Sequence, residues 1–349
     1  MEKASQWFLH SGIQETNGGV ARFYRSDLER NAAVSHEITG YAVSALLYLH
    51  SRSGDRACLE AGLRAARYLT REGWDAANST FAFEPGAPYA YFFDIGIIVR
   101  GLLSAWRATG EEEFRSRAKD AALSLAFDFL GDGDFHPIIE LPEKQPVTRE
   151  ARWSRQPGCY QLKSALAWRD LDDEHAARLF ESVLASALAT HESFLAGESN
   201  REKLMDRLHA YCYFLEALLA VSNRADCRAV LASGIARTAA IFREVAPQFE
   251  RSDVSAQLLR VRLIAHYQGA VALDDTAACE EAARATAFQA ESDDMRIDGG
   301  FWFGRRGGEM LPFVNPVSTA FCAQALELWR LHQCGEWAGT QEFALWQLI

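Results

Sequence analysis

The sequence predicts an all-α protein, six helical hairpins closed into a ring as a single domain over residues 1–349. Three observations carry this prediction. Six helices begin polar and then turn apolar on nearly every face, near Ser35, Tyr91, Gly158, Leu208, Ser252 and Asn315. A helix that is apolar all round must be buried, so these six are expected to face inward. Amphipathic helices follow the first five, at spacings of about 50–60 residues that suit repeated helical hairpins. The carboxyl-terminal stretch Glu342–Ile349 stays apolar, whereas an open superhelix needs a polar terminal cap.

Each element has a local reason. Residues 1–10 read as a short amphipathic helix. Residues 11–34 mix aromatics and arginines around Gly18-Gly19 without helical period, as in an ordered functional loop. Ser35 is placed to cap the first inner helix, 35–50, and Ser53-Gly54-Asp55 turns the chain into an outer helix at 55–71. In the loop 73–90, Phe81 and Phe83 alternate as in a short strand. The second hairpin joins 91–106 to 111–130. A long loop, 131–155, then holds Arg149, Arg152, Trp153 and Arg155. The third hairpin pairs 158–170 with 173–193, the fourth 208–221 with 225–244, and the fifth 252–265 with 274–291. Gly-aromatic alternation in 293–314 suggests a small β-hairpin. The sixth inner helix is expected over 315–332, followed by a closing helix at about 339–348.

Composition bounds the function. A net charge of −11 and the lack of a Lys/Arg cluster argue against nucleic-acid binding. No run of uncharged apolar residues is long enough for a membrane span, and the amino end lacks the apolar core of a signal peptide. The seven cysteines show no metal-ligand spacing and read as reduced thiols in a cytoplasmic protein. Neither a metal nor a cofactor is expected, because the glycine pairs lack a strand–loop–helix nucleotide context and Gly131-Asp-Gly-Asp134 is too short for a calcium loop. The oligomeric state is not legible.

Four stretches carry a resemblance: Val34-Ser-His-Glu-Ile-Thr-Gly-Tyr41, Leu208-His-Ala-Tyr-Cys-Tyr-Phe-Leu-Glu-Ala-Leu218, Arg251-Ser-Asp-Val-Ser-Ala-Gln257 and Val314-Asn-Pro-Val-Ser-Thr-Ala-Phe-Cys-Ala-Gln-Ala-Leu326. With them the chain resembles the six-hairpin glycosidase superfamily, the (α/α)6 toroids of carbohydrate-active proteins. It looks most like relatives of unsaturated glucuronyl hydrolases and sugar epimerases. The resemblance implies a saccharide cleft where the inner helices begin. It also implies a glycoside hydrolase, with a sugar epimerase or polysaccharide lyase as the alternative, since one fold hosts all of these. A non-catalytic toroid that binds saccharide or protein is the reading from a different class.

Glycoside chemistry needs two carboxyl groups, one to donate a proton and one to activate water or attack. Asp94, Glu37 and Asp253 lie near inner-helix starts. Asp94, between Tyr91-Phe-Phe and Ile-Gly-Ile-Ile, sits in a setting that raises a carboxyl's pKa and suits a general acid. Glu37 or Asp253 is its expected partner. Each would equally serve as a helix-terminal acid stabilised by free amides. Glu216, deeper in its helix, is expected to be a paired buried acid. His209 is placed to orient a hydroxyl or water, and His36 occupies the comparable position in the first repeat; a satisfied core histidine is the competing reading for both. Tyr41, Tyr91, Tyr160, Tyr211, Tyr213, Trp153 and Trp302 are candidate sugar-stacking rings, most of which should prove to be core. Gln257 and Asn315 complete the expected binding set. Arg155 and its neighbours, like Arg305 and Arg306, hint at an anionic sugar, and surface ion pairs explain them equally well.

Overall fold

A computed structural model describes residues 1–148, 152–171, 173–337 and 345–349. The protein is all-α and built of helical hairpins, with only short strands between them. Its contacts divide it into two compact units: one of Met1–Ser11, Phe23–Arg30 and His191–Ile349, the other of Gly12–Arg22 and Asn31–Thr190.

The second unit holds α2 (His36–Ser53), α3 (Arg56–Tyr68), α4 (Phe92–Thr109), α5 (Glu112–Phe127), α6 (Gln161–Arg169) and most of α7 (Glu174–Phe194); α1 (Glu2–His10) belongs to the first. The expected Ser35 cap is present, whereas Ser252, also expected to cap, is the first residue of its helix after Arg251. Ser35 Oγ accepts from the Ile38 amide, and Gly54 ends α2 in the left-handed region at φ 73°. Asp55 caps α3. The alternation around Phe81 does mark a strand, Thr80–Phe81, antiparallel to Trp74–Asp75. The segment 20–22 runs antiparallel to 33–35: the Arg22 amide donates to Ala33 O and the Ser35 amide to Val20 O. The aperiodic entry loop is therefore pinned to the start of α2.

Helices α2, α4 and α6 pack side by side, α2 on α4 and α4 on α6. Glycine sets the distance. A β-carbon on Gly101 would lie 2.6 Å from Gly40 O, and one on Gly40 would lie 3.0 Å from Ile98 Cα. The two backbones thus touch, and no side chain separates them. Glu37 and Asp94 each precede that contact by about one turn.

The first unit holds α8 (Arg201–Leu218), α9 (Ala225–Val245), α10 (Ser252–Tyr267), α11 (Asp275–Thr286) and α12 (Pro316–Gln333). Here α8 packs on α10 and α10 on α12, while α9 and α11 lie outside as amphipathic partners. One start differs from expectation. The fourth inner helix begins at Arg201, about two turns before Leu208, because Asn200 caps it by accepting from the Lys203 amide. Its first turns are charged and resemble a loop in sequence. Asn315 caps α12 through Val317 and Ser318 amides. The 293–314 loop does form a hairpin, Gly304–Arg306 with Glu309–Met310, extended by Phe249–Arg251. Of the expected closing helix, 339–344 lie outside the described residues, and Leu345–Gln347 form one 3-10 turn. Helix α12 packs with α1.

Gly101→Ala tests the backbone contact. Alanine in a helix interior normally gains up to about 1 kcal/mol over glycine. Here overpacking of about 1–3 kcal/mol should outweigh that gain. We expect a net lower midpoint in urea unfolding; a higher midpoint would mean that the helices do not touch at Gly40.

Candidate functional site

Two clusters of titratable side chains stand out, one in each unit. In the second unit, Glu37 opens the first turn of α2 and Asp94 that of α4. Asp94 is 7% exposed, and its Oδ2 is buried without any hydrogen-bond partner. Glu37 is partly exposed and makes no hydrogen bond either. Burial pushes the Glu37 carboxyl up to about 7 against the nearby Arg22 charge. Burial and the Glu37 charge together push Asp94 well above the usual carboxylate range, again opposed by Arg22. The two carboxyls therefore bind protons more readily than free carboxyls do.

Arg22 reaches this pair from the entry loop. Its guanidinium donates to Glu84 at 3.0 Å and lies 4.3 Å over the Phe83 ring. Phe83 in turn meets Tyr91 with ring centroids 5.0 Å apart. Tyr160, buried at the head of α6, donates its hydroxyl to Gln156 O at 3.1 Å and packs edge-on against Trp153 at 5.1 Å. Burial, followed by the charges of Cys159 and Asp94, holds its phenol above the usual range. Burial also raises the Tyr91 phenol, with Asp94; Arg155, Arg152 and Arg22 oppose it. Glu37, Asp94, Tyr91, Tyr160, Trp153 and Arg155 thus belong to one neighbourhood. Arg149 lies outside the described residues.

The first unit places His209 two turns into α8, beside α10. Its Nδ1 is 2.8 Å from Gln257 Oε1. An amide oxygen only accepts, so Nδ1 carries the hydrogen and Nε2 the lone pair. Among the described residues only Nδ1 finds a partner, and Nε2 makes no hydrogen bond. Burial, then the Arg251 charge, lowers this imidazole to about 4, against the opposing pull of Asp253. Asp253 is different. Burial would raise it, but Arg251 overrides this and holds the carboxyl below its usual range. Arg251 donates to both Asp253 oxygens, at 3.0 and 2.6 Å, and to Asp206 at 2.8 Å. Asp253 is therefore an ionised anchor for Arg251 rather than an unpaired acid.

The remaining sequence candidates fall elsewhere. His36 donates from Nδ1 to Ala82 O at 2.7 Å and packs against Tyr68 and Phe81, a core setting that lowers its pKa by burial. Tyr41 is 2% exposed within α2. The Tyr211 hydroxyl meets His191 Nδ1 at 3.0 Å, and Tyr213 packs edge-on against His209 at 4.5 Å. Trp302 is partly exposed, and its carbonyl accepts from Ser252 Oγ. Asn315 spends its side-chain oxygen on capping α12. Arg305 pairs with buried Glu250, and Arg306 with Glu202, so the ion-pair reading holds for that loop. Sequence reasoning missed Arg22 and Arg251 as site residues. The only hint of Arg22 was its place among the loop aromatics; Arg251 lay inside a quoted motif, two residues before Asp253.

No protein-family model matches the chain, and no curated protein matches it in sequence. Solved structures do match in fold. A cellobiose 2-epimerase from Spirochaeta thermophila superposes with a TM-score of 0.72 at 12% identity, covering 95% of each chain. A sugar epimerase from a ruminal bacterium gives 0.69 at 11% identity, covering 93% of this chain and 98% of that one. A D-mannose isomerase gives 0.65 at 9% identity over 93% of this chain and 95% of that one. The protein therefore has the six-hairpin (α/α)6 toroid fold expected from its sequence. Among the described residues no helix is long and apolar enough to cross a membrane.

Arg251→Met should leave Asp253 and Asp206 uncompensated. Breaking a buried pair from one side costs about 3–5 kcal/mol, read as a lower urea midpoint. The same change removes a cation from beside His209, so its titration, followed by proton NMR of the ring, should rise from about 4. An unmoved titration would show that Arg251 does not act on the imidazole.

Proposed function

We propose that this protein is a carbohydrate-active enzyme, a sugar epimerase or isomerase that moves a proton at the carbon beside a sugar's carbonyl. The observation that carries this reading is His209, a neutral imidazole whose tautomer is fixed by Gln257 and whose Nε2 lone pair is unpartnered. A base for such a reaction must be unprotonated at working pH and within reach of the reacting hydrogen. Nε2 takes the hydrogen of C2 from an open-chain aldose. The C–H electron pair moves into the C1–C2 bond, and the carbonyl oxygen takes the negative charge. Return of the proton to the other face of C2, as the C1 carbonyl re-forms, gives the epimer; return to C1, with transfer of the O2 hydroxyl proton to O1 and formation of the C2 carbonyl, gives the ketose. The folds of the epimerases and the isomerase support this choice.

A hydrolase is the second reading, supported by the Glu37–Asp94 pair. Asp94, raised well above the usual carboxylate range, beside Glu37, pushed up to about 7, suits transfer of a proton to a glycosidic oxygen with activation of water.

Incubation of D-glucose, D-mannose and cellobiose in D2O separates the two. The first reading expects deuterium at C2 and an isomeric sugar in the NMR spectrum. His209→Asn should slow this by about 10²-fold or more. Because His209 titrates at about 4, activity should fall only as pH drops toward that value and stay flat through 6.5. Cleavage of cellobiose to glucose without C2 exchange would sink the isomerase reading and favour the hydrolase.

A further inference from the structure

Helix α5 carries an apolar stripe on its outward face. Among the described residues six large hydrophobic side chains are exposed, and three of them, Leu123, Phe127 and Leu130, fall within one short stretch of the second unit. They are 53%, 65% and 58% exposed. We propose that this stripe is the contact through which two copies of the chain pair, about a two-fold axis near Phe127. The inference stands on the surface alone and is independent of the carbohydrate reading.

The fold does not require the stripe. Helix α5 meets its own unit with Phe114, Ala118, Ala121, Ala122 and Leu125, all buried. Leu123 and Phe127 are four residues apart and so share one face, the face turned away from that core. Leu130 extends it past the helix end. Helix α3 carries Arg56, Glu60 and Arg64 on its exposed face instead. None of α3, α7, α9 and α11, the other helices that follow inner ones, exposes a large hydrophobic side chain. Exposed apolar side chains gathered in this way mark an interaction site, where those scattered singly do not.

The flanking charges say what covers the stripe. Lys119 lies one turn before Leu123 on the same face, and Asp132 lies just past Leu130. Both are exposed, and neither forms an ion pair among the described residues. The neighbouring acids are already held, Asp120 by Arg117 at 3.1 Å and Asp128 by Lys144 at 2.6 Å. The order along the chain is therefore cation, Leu123, Phe127, Leu130, anion. That order is complementary to its own reverse. In a two-fold contact residue i of one copy meets residue j of the other, and j meets i. An axis near Phe127 sets Phe127 on Phe127, Leu123 on Leu130 and Lys119 on Asp132, the last two pairs occurring twice. An anionic lipid surface would instead meet a chain of net charge −11. These residues are fewer than the roughly 20–30 a side of a standard stable interface, so the dimer forms at micromolar concentration or above.

Sedimentation velocity of the full chain from about 1 to about 300 μM should show monomer giving way to dimer, with a Kd on the order of 10–100 μM. Phe127→Glu places two carboxylates at the axis and should abolish the dimer. Its circular dichroism spectrum should stay that of the parent, because the side chain is exposed. Lys119→Glu and Asp132→Lys should each weaken pairing by about 10-fold, since each sets like charges together twice. Mixed in equal amounts, these two variants should regain the parent's affinity as a heterodimer, in which both contacts join opposite charges. That recovery is specific to self-pairing. A chain that stays monomeric over the whole range, a dimer that survives Phe127→Glu, or no recovery on mixing would overturn the proposal. So would a monomer that cosediments with phosphatidylcholine vesicles through Phe127, which would assign the stripe to a lipid surface.

Discussion

The constraint on which this structure depends is that its even-numbered helices are buried on nearly every face. A charged group on such a helix has no water to turn to, so it must be paired or it destabilises the fold. Arg260 and Glu216 show the rule satisfied. Both are wholly buried; Arg260 Nε donates to Glu216 at 2.8 Å, another guanidinium nitrogen donates to Gln324 at 3.1 Å, and the guanidinium lies 3.8 Å over the Phe321 ring. Arg262 with Glu281 repeats the solution on the outer side of α10. Against that background Asp94 and Glu37 are exceptions. They occupy the same kind of helix, yet among the described residues neither Asp94 Oδ2 nor Glu37 has a hydrogen-bond partner. Unpaired acids in a helix core are tolerated where function requires them, and that contrast, more than the presence of carboxylates as such, singles out the heads of α2 and α4.

The sequence revealed the helices because burial leaves a period and capping leaves a residue. Ser35 caps where it was expected to, whereas Asn315, expected in the binding set, caps α12. The start of α8 was hidden because Arg201-Glu-Lys is charged, and a charged helix end has no apolar stripe to betray it. Asp94 was legible as a carboxyl raised above its usual range because its neighbours in sequence are apolar. Arg22 was not legible, since its relation to Glu37 runs through a backbone pairing of two irregular segments. Glu216 was legible as a paired acid, but its partner is 44 residues away on another helix, a separation that no local pattern encodes. Tyr211 looked like a stacking ring and instead binds His191, because a tyrosine's local sequence does not say which way its hydroxyl points.

Asp253 and Asp94 further show why position on a helix does not fix a role. Both sit in first helical turns, and both are buried. Arg251, adjoining α10 at the end of a strand, closes on Asp253 and keeps it ionised. Among the described residues Arg22, more remote, is the cation that favours Asp94 ionisation, and the Glu37 charge works against it. One arginine placed two residues away converts a potential acid into a structural anchor.

The two clusters also carry opposite linkage to pH. His209 binds its proton less readily folded than unfolded, so its contribution to stability is complete above the free histidine value of about 6.5 and is lost as pH falls toward 4. Glu37 and Asp94 bind protons more readily folded, so their penalty is absent below the free carboxyl range and grows as pH rises through 7. Environments that push titratable groups apart in this way leave a base unprotonated and an acid protonated at the same neutral pH. A chain selected only for stability would gain by replacing each with a neutral side chain of similar shape. The acid pair and the imidazole held by Gln257 are both retained at that cost.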